Sequence, residues 1–133
     1  MEDQIKKSLN EIVQFGIDPS KIAIENLDYP FEWIEDLVKE FGFHICLDIG
    51  HILLYGQDLK LYFEKYLNKT SVIHLHGNED GRDHLGLDRL RESTLEIIFS
   101  NLEKFKGIVS IEVFSIEDLA RSLIRLDEAW EKR

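Results

Sequence analysis

The sequence predicts an α/β fold in which one helix is followed by about four parallel βα units, which is half of a (βα)8 barrel. Three observations predict this fold. Strand-like apolar runs alternate with stretches of helical periodicity. Each run has large aliphatic residues on one face and small or chemically active residues on the other. The chain has 133 residues, whereas a complete barrel needs about 250. We therefore expect residues 1–133 to form a single domain.

Four apolar runs predict the parallel strands. Within each run, successive side chains alternate between two faces, which is the period of a strand. A stretch of helical periodicity separates each run from the next, and this alternation indicates right-handed βαβ units. The runs are residues 22–26, 45–51, 72–76 and 108–113.

Five stretches with apolar residues at helical spacing predict the helices. The first precedes the first strand. Pro30 suits the start of the second helix, and Asp58 can cap the third. Gly107 would close the fourth, and the last begins near Glu117. The residues expected to face inward are Ile5, Leu9, Ile12, Val13, Phe31, Ile34, Val38, Phe41, Leu59, Phe63, Tyr66, Leu67, Leu95, Ile98, Phe99, Leu102, Leu119, Leu123, Leu126 and Trp130.

The two faces of the predicted strands differ in chemistry. One face is large and aliphatic, as is needed beneath covering helices. The other is small at the start of each strand and carries a carboxylate or imidazole at its end. A barrel lumen has this character, whereas a doubly wound sheet is aliphatic on both faces. The aliphatic face comprises Ile22, Ile24, Ile45, Leu47, Ile73, Leu75, Val109 and Ile111, and the opposite face comprises Ala23, Glu25, Cys46, Asp48, Val72, His74, Ser110 and Glu112.

Composition limits the classes of function. The formal net charge is -10, from 26 acidic and 16 basic residues, which opposes binding to a nucleic-acid backbone and suits a cation-binding protein. We therefore expect a small-molecule substrate and no nucleic acid. The only cysteine, Cys46, excludes an internal disulfide and fits a reducing compartment. The N-terminus has no signal-peptide core, and no apolar run is long enough to cross a membrane. These features predict a cytoplasmic protein without membrane association.

Chemically active residues lie at the same end of all four runs. Glu25, Asp48, His74 and Glu112 each follow apolar residues, where an unpaired carboxylate or imidazole is costly. The carboxyl ends of parallel strands meet at one edge of a sheet, where barrels build their active sites. Carboxylates together with imidazole are typical ligands of a divalent metal. The sequence therefore predicts a metal site at this edge.

These motifs resemble the xylose-isomerase-like TIM barrels, which include sugar isomerases and epimerases and the endonuclease-IV-type nucleases. The resemblance extends from residue 22 to residue 126 but covers only the C-terminal half of that barrel. The strings Glu-Asn-Leu-Asp-Tyr-Pro, Asp-Ile-Gly-His, His-Leu-His-Gly and Gly-Arg-Asp-His-Leu are most similar to the cobamide-remodelling phosphodiesterases. The positions that match the family's ligands are Glu25 on the fourth strand, Asp48 and His51 in the Asp-x-x-His of the fifth, His74 on the sixth and Glu112 on the last.

The resemblance also implies a second group of ligands. The nucleases carry an Asp-x-His after the sixth strand, whereas this chain has Asp83 and His84 adjacent to each other. One ion would then be held by Glu25, Asp48, His74 and Glu112, and a second by His51 and His84 with Asp83 as a further ligand. Such ligand sets accept Zn2+, Mn2+ or Co2+.

The activity expected from these residues is metal-assisted hydrolysis of a phosphodiester, such as the nucleotide loop of a cobamide. Glu25 and Glu112 would act at the reacting centre, His76 or Arg82 would neutralise charge on the leaving oxygen, and Asn26 would contact the substrate. One alternative is a sugar or sugar-phosphate isomerase or epimerase, in which Glu25 and Glu112 exchange a proton with the substrate. Another is an inactive half barrel or a binding module.

Each of these residues also has an ordinary structural explanation. Asp48 and His51 could cap the following helix. Glu25 and Glu112 could form salt bridges across a barrel. His76 could be a hydrogen-bonded residue at a loop end. Arg82 could equally be a loop residue whose side chain lies in solvent.

The two-faced strands also predict an assembly. Helices on one side only would leave the small-residue face and two strand edges uncovered, and open edges attract other strands. Two copies would supply eight strands, the number at which side chains fill a barrel interior. We therefore expect a homodimer or pairing with a separate N-terminal half. The alternative is that the N-terminal helix folds across the uncovered face.

Overall fold

The computed structural model describes residues 2–132, which form six helices and six strands with short 3-10 turns. The helices are α1 (Glu2–Gln14), α2 (Glu35–Phe41), α3 (Ile49–Leu54), α4 (Leu59–Tyr66), α5 (Glu92–Leu102) and α6 (Ile116–Glu131). The strands are β1 (Ala23–Glu25), β2 (His44–Asp48), β3 (Thr70–Leu75), β4 (Gly77–Glu79), β5 (Arg82–Leu85) and β6 (Ile108–Ile111). The 3-10 turns are Pro19–Lys21, Phe31–Trp33, Leu67–Lys69 and Leu87–Arg89.

Four strands form one parallel sheet in the order β1-β2-β3-β6. The register places Asp48 of β2 beside His74 of β3, and His74 beside Ser110 of β6. The prediction of an α/β fold with parallel βα units is therefore confirmed. No helix within residues 2–132 is long and apolar enough to cross a membrane.

The hydrophobic core lies on the aliphatic face of this sheet, as the alternation of side chains predicts. Ile45, Leu47, Ile73 and Leu75 are each at most 2% exposed. They pack into one cluster with apolar residues of the surrounding helices and turns, which include Phe31, Val38, Ile52, Phe63, Ile98 and Phe99. The covering layer therefore lies on the side that the sequence predicts.

The N-terminal helix packs against this cluster and not across the opposite face of the sheet. Ile5, Leu9 and Val13 of α1 contact the core cluster. Lys6 of α1 forms an ion pair with Glu40 of α2, with Nζ and Oε1 2.8 Å apart. The alternative in which this helix covers the small-residue face is therefore wrong.

Local hydrogen bonds explain where several elements begin and end. The second predicted run, residues 45–51, ends earlier as a strand, because the Asp48 carboxylate accepts the His51 backbone N–H and starts α3 at Ile49. Asp58 caps α4 in the same way, as predicted, by accepting the N–H of Leu61. Gly42 ends α2 with a left-handed φ of 74°, which glycine adopts readily.

Gly107 does not close the fourth predicted helix. α5 ends at Leu102, and Glu103 is its C-cap in an ordinary helical conformation. Gly107 precedes β6, where a Cβ atom would lie 2.3 Å from the carbonyl oxygen of Ser71. This glycine therefore serves the close approach of two backbone segments.

Helix α6 presents a different face to the core from the one predicted. Leu119, Leu123 and Trp130 are 37%, 52% and 57% exposed, whereas Ser122 is fully buried. The Ser122 hydroxyl accepts the N–H of Leu87, and the Asp118 carboxylate accepts the N–H of Gly86. These polar contacts set the rotation of the helix, so much of its apolar stripe stays on the surface.

Residues after β3 form a hairpin that the sequence does not predict. β4 and β5 pair antiparallel, with Gly77 opposite Leu85 and Glu79 opposite Arg82. Gly81 adopts a left-handed φ of 74° at the turn. The hairpin follows β3 at the carboxyl edge of the main sheet, so it carries Asp83 and His84 to that edge.

Candidate metal centre

The four predicted ligands of the first ion lie together at the carboxyl edge of the sheet. We call Glu25, Asp48, His74 and Glu112 the carboxylate cluster, since each offers one ligand atom within 4.8 Å of the others. His74 Nδ1 is 3.1 Å from Glu25 Oε1, 3.3 Å from Glu112 Oε1 and 3.7 Å from Asp48 Oδ2. Parallel pairing of the strands brings these side chains to one point.

Asp48 is the buried centre of this cluster, and its side chain is 0% exposed. Its Oδ1 accepts the backbone N–H of His51 at 2.8 Å. Its Oδ2 has no hydrogen-bond partner among the residues that the structure describes. A buried carboxylate oxygen without a partner is costly. A cation would supply the missing interaction, so the residues present fit a metal.

Asn26 positions Asp48 from behind the cluster. Its amide nitrogen donates to the carbonyl oxygen of Asp48 at 3.1 Å, and its Oδ1 accepts the Asp48 backbone N–H at 2.7 Å. The residue is 0% exposed. These contacts show that Asn26 supports Asp48, whereas the sequence predicts that Asn26 contacts the substrate.

Charges in the carboxylate cluster shift the pKa values of its members in opposite directions. Burial, and then the neighbouring Asp48 carboxylate, raise the pKa of Glu25. Burial alone would raise the pKa of Asp48, but the His74 and His76 imidazoles and the His51 N–H outweigh it and hold that pKa well below its usual range. Asp48, with Cys46 and Glu112, raises the pKa of His74 to about 11. A proton on His74 and a bound cation would each neutralise the charge of the same carboxylates. Protonation of His74 and binding of a cation therefore compete.

A second group of possible ligands lies beside the first. We call His51, His76 and His84 the imidazole cluster, because each offers a ring nitrogen within 4.8 Å of the others. His51 also lies near the carboxylate cluster, with its Nδ1 3.4 Å from Asp48 Oδ2. The two clusters are therefore neighbours at one edge of the sheet.

Backbone carbonyl groups orient two of these imidazoles. His51 Nδ1 is 3.2 Å from the carbonyl oxygen of Asn26, and His84 Nδ1 is 3.1 Å from that of Glu112. A carbonyl oxygen can only accept, so in each neutral ring Nδ1 carries the hydrogen and Nε2 keeps its lone pair. Both Nε2 atoms are then available as metal ligands.

Asp83 joins this cluster although it is adjacent to His84 in sequence. Its Oδ2 lies 3.9 Å from His51 Nε2 and 3.8 Å from His84 Nε2. Adjacent residues of a strand point to opposite faces, but His84 has a left-handed φ of 52° that breaks the alternation. Backbone strain of this kind is typical of functional sites.

The remaining residues differ from the roles that the sequence predicts for them. His76 is 0% exposed, so its ring is closed to solvent, whereas the predicted catalytic role needs contact with a substrate. Arg82 is exposed at the start of β5, outside both clusters. Cys46, which the sequence places on the strand face opposite the aliphatic one, is buried and also lies within ligand distance of Glu25 and His74.

Sequence reasoning missed the role of Gly50. A Cβ atom there would lie 1.9 Å from His76 Cε1, so only glycine leaves room for the ring. Asn78 supports the same turn by donating to the Gly50 carbonyl oxygen at 3.2 Å. The available signal was a glycine inside the first turn of a helix, where glycine is unfavourable without a packing reason.

Comparison of the chain with protein-family models, curated proteins and solved structures found no match.

Proposed function

We propose that this chain binds two divalent cations and belongs to a metal-dependent enzyme that hydrolyses a phosphodiester. The observation that carries the proposal is a pair of neighbouring clusters of possible ligands, one of which contains a buried carboxylate oxygen without a hydrogen-bond partner among the described residues. Two metal ions side by side are typical of enzymes that displace groups at phosphorus.

The two clusters favour different metals. Three carboxylates and one imidazole in the carboxylate cluster suit Mn2+, Co2+ or Zn2+. In the imidazole cluster, the lone pairs of His51 and His84 together with Asp83 favour Zn2+. His76 is not counted as a ligand, because its Nδ1 accepts a backbone N–H and its Nε2 faces Asp48.

The chemistry of hydrolysis follows from these residues. Bound divalent metal polarises phosphoryl oxygens and lowers the pKa of water. Glu25 would hold the first ion and, because its side chain is 34% exposed, would also border the bound substrate. The surrounding chain is strongly acidic, so an anionic substrate needs the charge of bound cations to approach. The resemblance to cobamide-remodelling enzymes makes a cobamide nucleotide loop our proposed substrate.

The test is hydrolysis of bis(p-nitrophenyl) phosphate by the full chain with Mn2+, Co2+ or Zn2+. We expect metal-dependent release of nitrophenolate that Glu25→Gln lowers by about a hundredfold or more. Glu64→Gln, on the exposed side of α4, is the matched control and should keep the activity. Equal activity of the wild type and Glu25→Gln would rule out this assignment. A wild type that binds metal without turnover would favour the inactive half barrel or binding module.

A second candidate is a sugar or sugar-phosphate isomerase or epimerase. It is favoured by the positions of Glu25 and Glu112, whose Oε1 atoms lie 3.1 and 3.3 Å from the same atom of His74. Both side chains are about one-third exposed, at 34% and 33%, so both can reach a substrate. Deuterium exchange at the carbon next to a sugar carbonyl, with one ion per chain, would support this activity over hydrolysis.

We infer that the sheet is half of a TIM barrel and that a second copy of the chain completes it. Support comes from the two outer strands, β1 and β6, each of which pairs on one side only within the described sheet. Apolar residues are exposed at β6 and α6, including Ile108 at 67%, Ile116 at 78% and Leu123 at 52%. Monomers rarely leave so many neighbouring apolar side chains in water.

Light scattering at micromolar concentration tests this assembly. We expect a mass twice the 15.6 kDa of one chain, and we expect Leu123→Glu to halve it. Leu61→Glu on α4 is the matched control, because Leu61 is also exposed, at 40%. A wild type at the mass of one chain would refute the homodimer and favour pairing with a separate N-terminal half.

We also propose that the chain works in a reducing compartment such as the cytoplasm. Cys46 is a buried free thiol within ligand distance of Glu25 and His74. Oxidation of this thiol would add bulk and charge inside the carboxylate cluster.

A further inference from the structure

We propose that His76 is a positioning residue that fixes the two ligand clusters relative to each other. The inference rests on the proposed two-metal site. It states that one buried side chain fixes the position of the carboxylate cluster relative to the imidazole cluster. Three features of His76 carry it: its enclosure, the partners of its two ring nitrogens, and its stacking on a ligand.

The His76 ring is locked in place. It is 0% exposed, and it occupies the space that the missing side chain of Gly50 leaves. A Cβ atom at that position would lie 1.9 to 2.3 Å from three atoms of the ring. The plane of His76 lies 24° from that of His84, with ring centroids 4.2 Å apart. A ring held on both sides cannot turn without moving its neighbours.

The two nitrogens of this ring face different clusters. Nδ1 accepts the backbone N–H of His84 at 3.0 Å, and it is also 3.3 Å from the carbonyl oxygen of Gly77. A backbone N–H can only donate, so the shorter contact requires a lone pair on Nδ1 and puts the ring hydrogen on Nε2. Nε2 lies 3.0 Å from Asp48 Oδ1, although the angle is not that of a hydrogen bond.

The consequence is a direct link between a ligand of each cluster. Asp48 belongs to the carboxylate cluster, and His84 belongs to the imidazole cluster. The positive ring edge at Nε2 faces the Asp48 carboxylate, while Nδ1 holds the strained backbone of His84. Groups that orient metal ligands in this way commonly change metal affinity by about 10- to 100-fold.

Two near-isosteric variants separate the two contacts. In His76→Asn, the amide oxygen lies two bonds from Cβ, as Nδ1 does, and can accept the His84 N–H. In His76→Gln, the amide nitrogen lies three bonds from Cβ, as Nε2 does, and can face Asp48. Each variant therefore keeps one contact and removes the other.

Calorimetric titration of the full chain with Zn2+ and with Mn2+ measures the outcome. Asp48→Asn and His84→Gln assign each binding step to its cluster. We expect His76→Asn to weaken the step of the carboxylate cluster by about tenfold or more and to spare the other step, and His76→Gln to do the reverse. Unchanged affinities in both variants would overturn the proposal. Loss of the imidazole-cluster step in both variants would make His76 a ligand and would also overturn it.

A metal-free measurement distinguishes failure of this inference from failure of the proposed function. Hydrogen exchange of the His84 amide, followed by NMR, should be about tenfold or more faster in His76→Gln and unchanged in His76→Asn, because only Asn replaces the acceptor. If the wild type binds no metal but this pattern holds, the metal proposal fails and the positioning role stands. If the amide exchanges equally in all three chains, the positioning role fails.

Gly50→Ala provides a second route that leaves both clusters chemically intact. The added methyl group would displace the His76 ring, so we expect both metal-binding steps to weaken together. Circular dichroism confirms that the variant is folded. A folded Gly50→Ala chain that binds both ions with wild-type affinity would contradict the inference.

Discussion

At the scale of single residues, Asp48 can serve both of the roles that the sequence offered as alternatives, those of helix cap and metal ligand. Its Oδ1 caps α3 through the His51 N–H, while its Oδ2 faces the carboxylate cluster without a hydrogen-bond partner among the described residues. A carboxylate has two oxygens, so capping a helix does not prevent it from binding a cation. The capping explanation and the ligand explanation are therefore compatible.

Asp48→Asn separates these roles. The amide oxygen still accepts the His51 N–H, so the cap is kept, but the charge at Oδ2 is lost. We expect the variant to stay folded and to lose the ion of the carboxylate cluster, as measured by calorimetric titration.

Asp58→Asn makes the same change at the cap of α4, where Asp58 accepts the N–H of Leu61 at 3.1 Å. This control should keep metal binding. Equal metal affinity in both variants would show that Asp48 is only a cap.

His74 predicts how the stability of the metal-free chain depends on pH. Its pKa is raised from 6.5 to about 11 by Asp48, Cys46 and Glu112. The folded state therefore holds a proton that the unfolded state releases above pH 6.5, and the contribution is fully present below that value. It is lost as the pH rises towards about 11. We expect the urea midpoint in EDTA to fall from about pH 7 to about pH 10.

His74→Gln is the control for this measurement, because glutamine does not titrate. The difference in midpoint between the wild type and His74→Gln should shrink as the pH rises. A difference that grows with pH would mean that the imidazole is stabilising in its neutral form.

At the scale of elements, the junction of β2 with α3 organises the site. β2 ends at Asp48, and the first turn of α3 contains Gly50 and His51. The strand end supplies one candidate ligand, the helix supplies another, and the glycine between them makes room for His76. Three successive functions thus depend on four residues of sequence.

Gly50→Ala should reverse its effect on stability when His76 is removed. In the wild type, the methyl group would overlap the ring and cost about 1–3 kcal/mol. In His76→Ala, the space is open, and replacing a helical glycine by alanine should stabilise by about 1 kcal/mol. Urea unfolding of the four chains of this cycle measures both effects. The same sign in both backgrounds would mean that the ring and the glycine are not coupled.

The elements that the sequence predicted correctly are those specified by local patterns. Alternation within each run identifies the strands and their faces, and Asp58 marks the start of α4. The rotation of α6 was predicted wrongly, because it depends on hydrogen bonds that Asp118 and Ser122 accept from backbone N–H groups more than thirty residues away. Periodicity shows which residues of a helix are apolar, but distant polar contacts decide which of them face the core.

The candidate site divides in the same way. Glu25, Asp48, His74 and Glu112 could be grouped from sequence, because each lies at the end of an apolar run and the carboxyl ends of parallel strands meet at one edge of a sheet. The position of Asp83 could not be inferred from spacing, because it depends on the positive φ of His84 in the hairpin. The burial of His76 could not be predicted from sequence for a similar reason, since it follows from contact with a glycine on another element.

At the scale of the whole molecule, the net negative charge of the chain and the carboxylates of the candidate site both favour the binding of cations. The chain has a formal net charge of -10, and three carboxylates of its site surround a single imidazole. Like charges at close range oppose folding unless something compensates them. Cations bound at the two clusters would relieve this repulsion and stabilise the folded state by mass action.

The number of divalent ions that one chain retains tests this account most directly. The full chain is dialysed against a mixture of Zn2+ and Mn2+, then passed through a desalting column and analysed by inductively coupled plasma mass spectrometry. The account predicts two ions per chain, one for the carboxylate cluster and one for the imidazole cluster, and a melting temperature that falls when EDTA removes them. A folded chain that retains no ion, and whose melting temperature is the same with metal and with EDTA, would contradict it.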